Sequence, residues 1–173
     1  MKAKSIVLGV ALLVSAMGAR SQNYLRHGIG AGIGLDKQGD TFLTSWGLEY
    51  EMSILNQKKG FESGFVTGAG VSLPIEKADQ YGHRPGATYD PREFGVYLKA
   101  GYKLEMVSVG INAGIYKEKD RELADANQSK AIIGGWAGMQ PARFLTVLVG
   151  YDTFRGINAG VLFYVNKIPS NRR

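Results

Sequence analysis

Segments in which apolar and polar positions alternate with a period of two recur from Tyr24 to Asn166. In FGVYLKAGYKLEMVSVGINAGIY, residues 94–116, Phe94, Val96, Leu98, Ala100, Tyr102 and Leu104 interleave with Gly95, Tyr97, Lys99, Gly101, Lys103 and Glu105. Past Met106 the alternation resumes, with Val107, Val109, Ile111, Ala113 and Ile115 between Ser108, Gly110, Asn112, Gly114 and Tyr116. Successive side chains of a strand point to opposite faces, so this is a hairpin turning at Met106, with one apolar face and one polar, glycine-rich face. The same alternation predicts strands over residues 24–35, 41–52, 61–73, 94–105, 107–116, 131–140, 144–152 and 157–166. Helical periodicity is not convincing anywhere in that span. The expected fold is therefore all-β, an eight-stranded antiparallel up-and-down barrel.

Most of these segments run well beyond the ~5–6 residues usual in globular strands and match the roughly 9–11 of a tilted membrane-crossing strand. The connections alternate between two ends of the meander. SILNQKKG, Met106 and PAR at 141–143 form one set, whereas PIEKADQYGHRPGATYDPRE and KEKDRELADANQSK fall in the other, together with the short DKQGD and TFRG. An antiparallel meander then has one ragged end and one trimmed end, as outer-membrane barrels do.

Alternation alone does not say which face meets which medium, since a soluble barrel exchanges the two faces. Three features favour an outward apolar face. The aromatics Phe42 and Tyr50, and Phe94 and Tyr102, are paired eight residues apart on that face. At ~3.3 Å per residue and a tilt of about 40°, that spacing rises roughly 20 Å, close to an apolar band bounded by aromatic girdles. Glycine crowds the polar face, at Gly28, Gly30, Gly32, Gly34, Gly64, Gly68, Gly70, Gly95, Gly101, Gly110 and Gly114, where a narrow interior needs room for Tyr97, Tyr116 and long charged chains. That face also carries both signs of charge: Arg26, Glu49, Glu51, Glu62, Lys103 and Glu105 toward one end and Lys99 nearer the middle, positioned to pair across the lumen with Asn112 among them. The sixth strand, AIIGGWAGMQ, is ambiguous: Ile133, Ala137 and Met139 compete with Ile132 and Trp136 for the outward face, and a bulge at Gly134 or Gly135 would reconcile them.

With these features the chain resembles the small eight-stranded outer-membrane barrels of the OmpA transmembrane domain and OmpX type, over Tyr24 to Asn166. The likeness is one of architecture. Such barrels commonly finish on an aromatic residue; here Phe163 and Tyr164 are followed by NKIPSNRR. The resemblance implies a lipid-embedded wall and a tail on the periplasmic side.

The first residues fit that location. MKAKSIVLGVALLVSAMGARSQ has Lys2 and Lys4 ahead of an apolar run from Ile6 to Met17, then small residues, the pattern of a secretory signal peptide. Cleavage after Ser21 leaves a barrel domain over 22–166 and a short basic periplasmic tail over 167–173. The formal charge of +6 then loses Lys2, Lys4 and Arg20, and without Lys167, Arg172 and Arg173 the remaining body is neutral. A basic stripe for a phosphate backbone is missing, so nucleic acid is not an expected partner. With no cysteine, the chain has neither disulfides nor thiolate metal sites.

Little catalytic chemistry emerges. His27 is expected on the outward face at the interface, beside Arg26. His83, in the loop YGHRPG near Asp79 and Asp90 and after Ser72, is the candidate base of a lipid A-modifying enzyme, a set that requires hydrogen-bond reach. The carboxylates of KEKDRELADANQSK alternate with Lys117, Lys119, Arg121 and Lys130 and lack the ligand order of a calcium loop. The expectation is a non-enzymatic outer-membrane barrel of a diderm bacterium, without catalytic residue, cofactor or metal. Its role is structural or interactive, through loops 74–93 and 117–130 or the barrel wall, or as an accessory subunit of an envelope complex. A lipid-modifying enzyme, a narrow channel and a soluble periplasmic ligand-binding barrel are the alternatives.

Overall fold

A computed structural model describes residues 23–38, 41–58, 61–75, 92–119 and 127–165. The strands are β1 (Asn23–Gln38), β2 (Thr41–Lys58), β3 (Phe61–Pro74), β4 (Arg92–Leu104), β5 (Val107–Lys119), β6 (Asn127–Ala142), β7 (Leu145–Asp152) and β8 (Gly156–Tyr164). Each pairs antiparallel with its sequence neighbours, and β1 closes onto β8 from Gly28↔Tyr164 to Leu35↔Ile157. Asn23 and Val165 share one end with the connections at 59–60, 105–106 and 143–144, the short-turn end. The opposite end, the loop end, carries the connections at 39–40, 75–91, 120–126 and 153–155.

The alternation resolves into two unlike surfaces. Outward positions are aliphatic or aromatic and open, with Leu98 67%, Ile111 64% and Ile157 73% exposed. Inward positions hold the buried polar residues, with Lys99 and Lys103 each 2% exposed. Phe42, Tyr50, Phe94 and Tyr102 all stand on the outer wall, where Tyr102 meets Phe65 edge to face at 5.3 Å between centroids. Two small apolar clusters interrupt the polar interior: Val66, Trp136, Leu148 and Leu162, and nearer the loop end Tyr97, Ile132 and Phe154.

Three sequence expectations are corrected. β2 continues through SILNQK to Lys58 rather than ending at 52, because Ser53 and Leu55 keep the inward parity and are fully buried. β6 has no bulge at Gly134 or Gly135: it pairs with β5 without interruption from Asn127 to Met139, which settles Ile132 and Trp136 inside and Ile133 and Met139 outside. The irregularity lies between Met139 and Ala142, against β7, around Pro141, which has no N–H to give a ladder. Glu105 leaves the lumen. It shares the β4–β5 turn with Met106, has φ of 53°, and its N–H donates to the carbonyl of Glu62 at 2.6 Å. A left-handed turn residue steps out of strand alternation, so parity stops predicting its direction.

Candidate functional site: the charged lumen

The inward residues form a ladder of ion pairs along the barrel. At the short-turn end the Lys103 ammonium meets Glu62 at 2.6 Å and Gln140 Oε1 at 2.5 Å. Arg26 reaches Glu62 at 3.5 Å, donates to Gln140 Oε1 at 3.1 Å, and lays its guanidinium 3.8 Å from the ring centre of Tyr164. Tyr164 donates its hydroxyl to Glu51 at 2.7 Å, and Ser53 donates to the same carboxylate at 3.2 Å. In mid-barrel Lys99 sits 3.0 Å from Glu51 and 3.5 Å from Glu49, over the indole of Trp136. Tyr97 donates to Glu49 at 3.4 Å.

Above this level the β7–β8 connection folds into the barrel. Asp152 accepts the backbone N–H groups of Phe154 and Arg155 at 3.0 and 2.7 Å and binds the Arg155 guanidinium at 2.7 Å. Arg155 extends to the hydroxyl of Tyr97 at 3.1 Å, which joins the turn to the mid-barrel ladder. Phe154 is fully buried, edge to face with Tyr116 at 5.2 Å, and its carbonyl accepts from Arg92. Arg92 pairs with Asp36 at 3.4 Å. Gly156, at φ of 64°, lets the chain return to β8, a conformation side chains disfavour.

Among the described lumen residues the cations Arg26, Lys99, Lys103, Arg92 and Arg155 each have a carboxylate within ion-pair distance: Glu62, Glu51, Glu62, Asp36 and Asp152 respectively. Charges removed from water cost several kcal/mol each unless paired, so opposite partners at matched depth are required of a narrow polar interior. Two glycines create the space. A Cβ on Gly70 would fall 2.3 Å from Tyr97 Cζ, and one on Gly110 2.6 Å from Trp136 Cζ2.

The space left over is small. A mid-lumen cavity of about 20 Å³ is lined by Glu49, Tyr97, Lys99, Asn112, Trp136 and Arg155 with their neighbours. A wider recess of about 380 Å³ opens at the short-turn end between Arg26, Glu62, Gln140 and Arg143.

The structure therefore brings Arg26, Glu49, Glu51, Glu62, Tyr97, Lys99 and Lys103 into one network. Asn112 points inward beside Lys99, and Tyr116 joins the apolar cap over Phe154. Sequence reasoning missed Gln140, Asp152, Arg155 and Asn158. Extending strand parity would have found Gln140, Asp152 and Asn158, whereas Arg155 sits in a turn that parity does not govern.

Of the candidate catalytic groups, Ser72 alone lies among the described residues. Ser72 faces the barrel interior, 1% exposed, and His83, Asp79 and Asp90 lie outside the described residues. His27 is on the outer wall, with Nδ1 2.5 Å from the hydroxyl of Tyr50. Glu118, which the sequence assigns to the second long connection, lies on β5 and is paired with Lys130 on β6. Comparison with known proteins found no matching family model and no curated protein of similar sequence.

Proposed function

We propose that the protein is an integral outer-membrane barrel, exported by the signal peptide over residues 1–21, with a structural or interaction role through its loop end or its wall. The observation that carries this reading is the inversion of polarity: the barrel buries lysine, arginine and glutamate, while leucine, isoleucine, valine and phenylalanine cover the outside. In water this arrangement leaves an apolar surface far larger than a soluble monomer tolerates; in lipid it is the stable one. The resemblance to the OmpA and OmpX type of barrel rests on the same inversion, on strand number and on the contrast between short turns and long loops.

The filled lumen supports a structural or interacting role over a channel. A side-chain-packed interior is the norm for eight strands, and the mid-lumen space is about 20 Å³. Fractionation tests the location. The expected result is recovery in the outer-membrane fraction, with a folded form that migrates differently from the boiled one in detergent gels. Recovery in the soluble periplasmic fraction, with no heat-dependent mobility, would sink the membrane reading. Co-purification in mild detergent then separates a lone barrel from a subunit.

A further inference from the structure

We infer that the mid-lumen cavity is a binding site for a single ordered water molecule, held between β4, β5 and β6. Three side chains lining this cavity carry polar atoms that are buried and have no hydrogen-bond partner: Lys99 Nζ, Asn112 Oδ1 and Trp136 Nε1. Their residues are 2%, 3% and 7% exposed. Lys99 does have ionic neighbours in Glu51 and Glu49, yet neither contact has the geometry of a hydrogen bond, so its directed protons remain to be used. Buried polar atoms are nearly always satisfied, and three orphans around one void are not independent exceptions.

The register explains why they converge. Lys99 on β4 is the direct partner of Asn112 on β5, and Trp136 on β6 is the partner of Gly110, one inward position along β5. Gly110 lacks the side chain that would fill the gap, so the indole crosses above it.

The chemistry of the lining selects the occupant. Lys99 and Trp136 supply N–H donors, while Asn112 Oδ1 and the carboxylate of Glu49 supply acceptors. Two donors and two acceptors complete the coordination of water. A halide would face Glu49 and the amide oxygen, and an alkali cation would face the Lys99 ammonium, so either ion meets a like charge. The volume agrees: a cavity needs about 10–15 Å³ to hold one water, and this one offers about 20 Å³. The water would join the Asn112 amide oxygen to the Lys99 ammonium across the β4–β5 pair.

Trp136 is a built-in reporter. In protein labelled with nitrogen-15 at tryptophan, the Trp46→Phe variant assigns the two indole signals. The Trp136 N–H is expected to show a nuclear Overhauser contact to water with the sign of a long-lived complex, and Asn112→Leu, which removes an acceptor and fills the space, should abolish it. Heat-dependent gel mobility shows whether that variant is folded; if it is not, the unmodified protein decides alone. Absence of the water contact in the unmodified barrel overturns the proposal. So does a saturable shift of the Trp136 signal on adding bromide, which would mean an anion site instead.

Discussion

Lys99 illustrates how far a single residue was readable. Its inward direction follows from the alternation of Leu98 and Ala100 around it, and the need for carboxylate partners follows from burial. The identity of the partners does not, because Glu49 and Glu51 stand on β2, two strands away, and only the closed barrel brings them to 3.5 and 3.0 Å. Trp136 as a cation–π partner at 4.2 Å was likewise hidden while the facing of β6 was ambiguous. Truncating one member of such a cluster leaves the others uncompensated. Lys99→Met is expected to lower the unfolding free energy by about 3–5 kcal/mol, measured by denaturant titration of the refolded barrel. Neutralising Glu49 and Glu51 to glutamine in the same chain should recover most of that loss. A single substitution without effect would mean that the Lys99 cluster contributes nothing to the folded barrel.

At the scale of elements, period-two alternation located all eight strands and misjudged their ends. The polar residues of SILNQKKG read as a turn after 52, although Ser53 and Leu55 simply keep the inward parity that runs from Leu43 through Ser45 to Glu51. The β5–β6 loop likewise read too long: Lys117–Lys119 and Asn127–Lys130 belong to strands that extend beyond the wall formed by β7 and β8. The connection TFRG gave no sign of folding inward, since a short polar turn is usually a surface turn. What pulls it in is Asp152, which caps two N–H groups and holds Arg155, together with the left-handed Gly156. Asp152→Ala should therefore destabilise the barrel by about 3–5 kcal/mol, as for any buried pair losing one member. Gly156→Ala should be at least as damaging, because a Cβ there would fall 2.3 Å from the carbonyl oxygen of Leu35 on top of the left-handed φ of 64°. Thermal unfolding of Asp152→Ala at the temperature of the unmodified protein would show that backbone geometry and not the carboxylate organises the turn.

For the molecule as a whole, the sequence settles the barrel but leaves its medium to be tested, because a soluble barrel and a membrane barrel share one alternation with the faces exchanged. The medium can be read from the energetic response of the outer wall. Leu98 is 67% exposed and lies midway between Phe94 and Tyr102 on β4. In a lipid bilayer an arginine near mid-depth costs about 2–4 kcal/mol, and the cost falls to ~0–1 kcal/mol at the interfaces. On a water-exposed surface the same change would stay within about 0.5 kcal/mol wherever it was made. The expected result for refolding into vesicles is therefore a depth profile: Leu98→Arg strongly destabilising, and Phe42→Arg, at the start of β2 near the loop end, much less so. Phe42→Arg also removes an exposed aromatic, so Phe42→Ala is the reference for its charge term, as Leu98→Ala is for Leu98. A flat profile, with both arginine terms near zero, would place the wall in water and oblige the apolar surface to be covered by another protein.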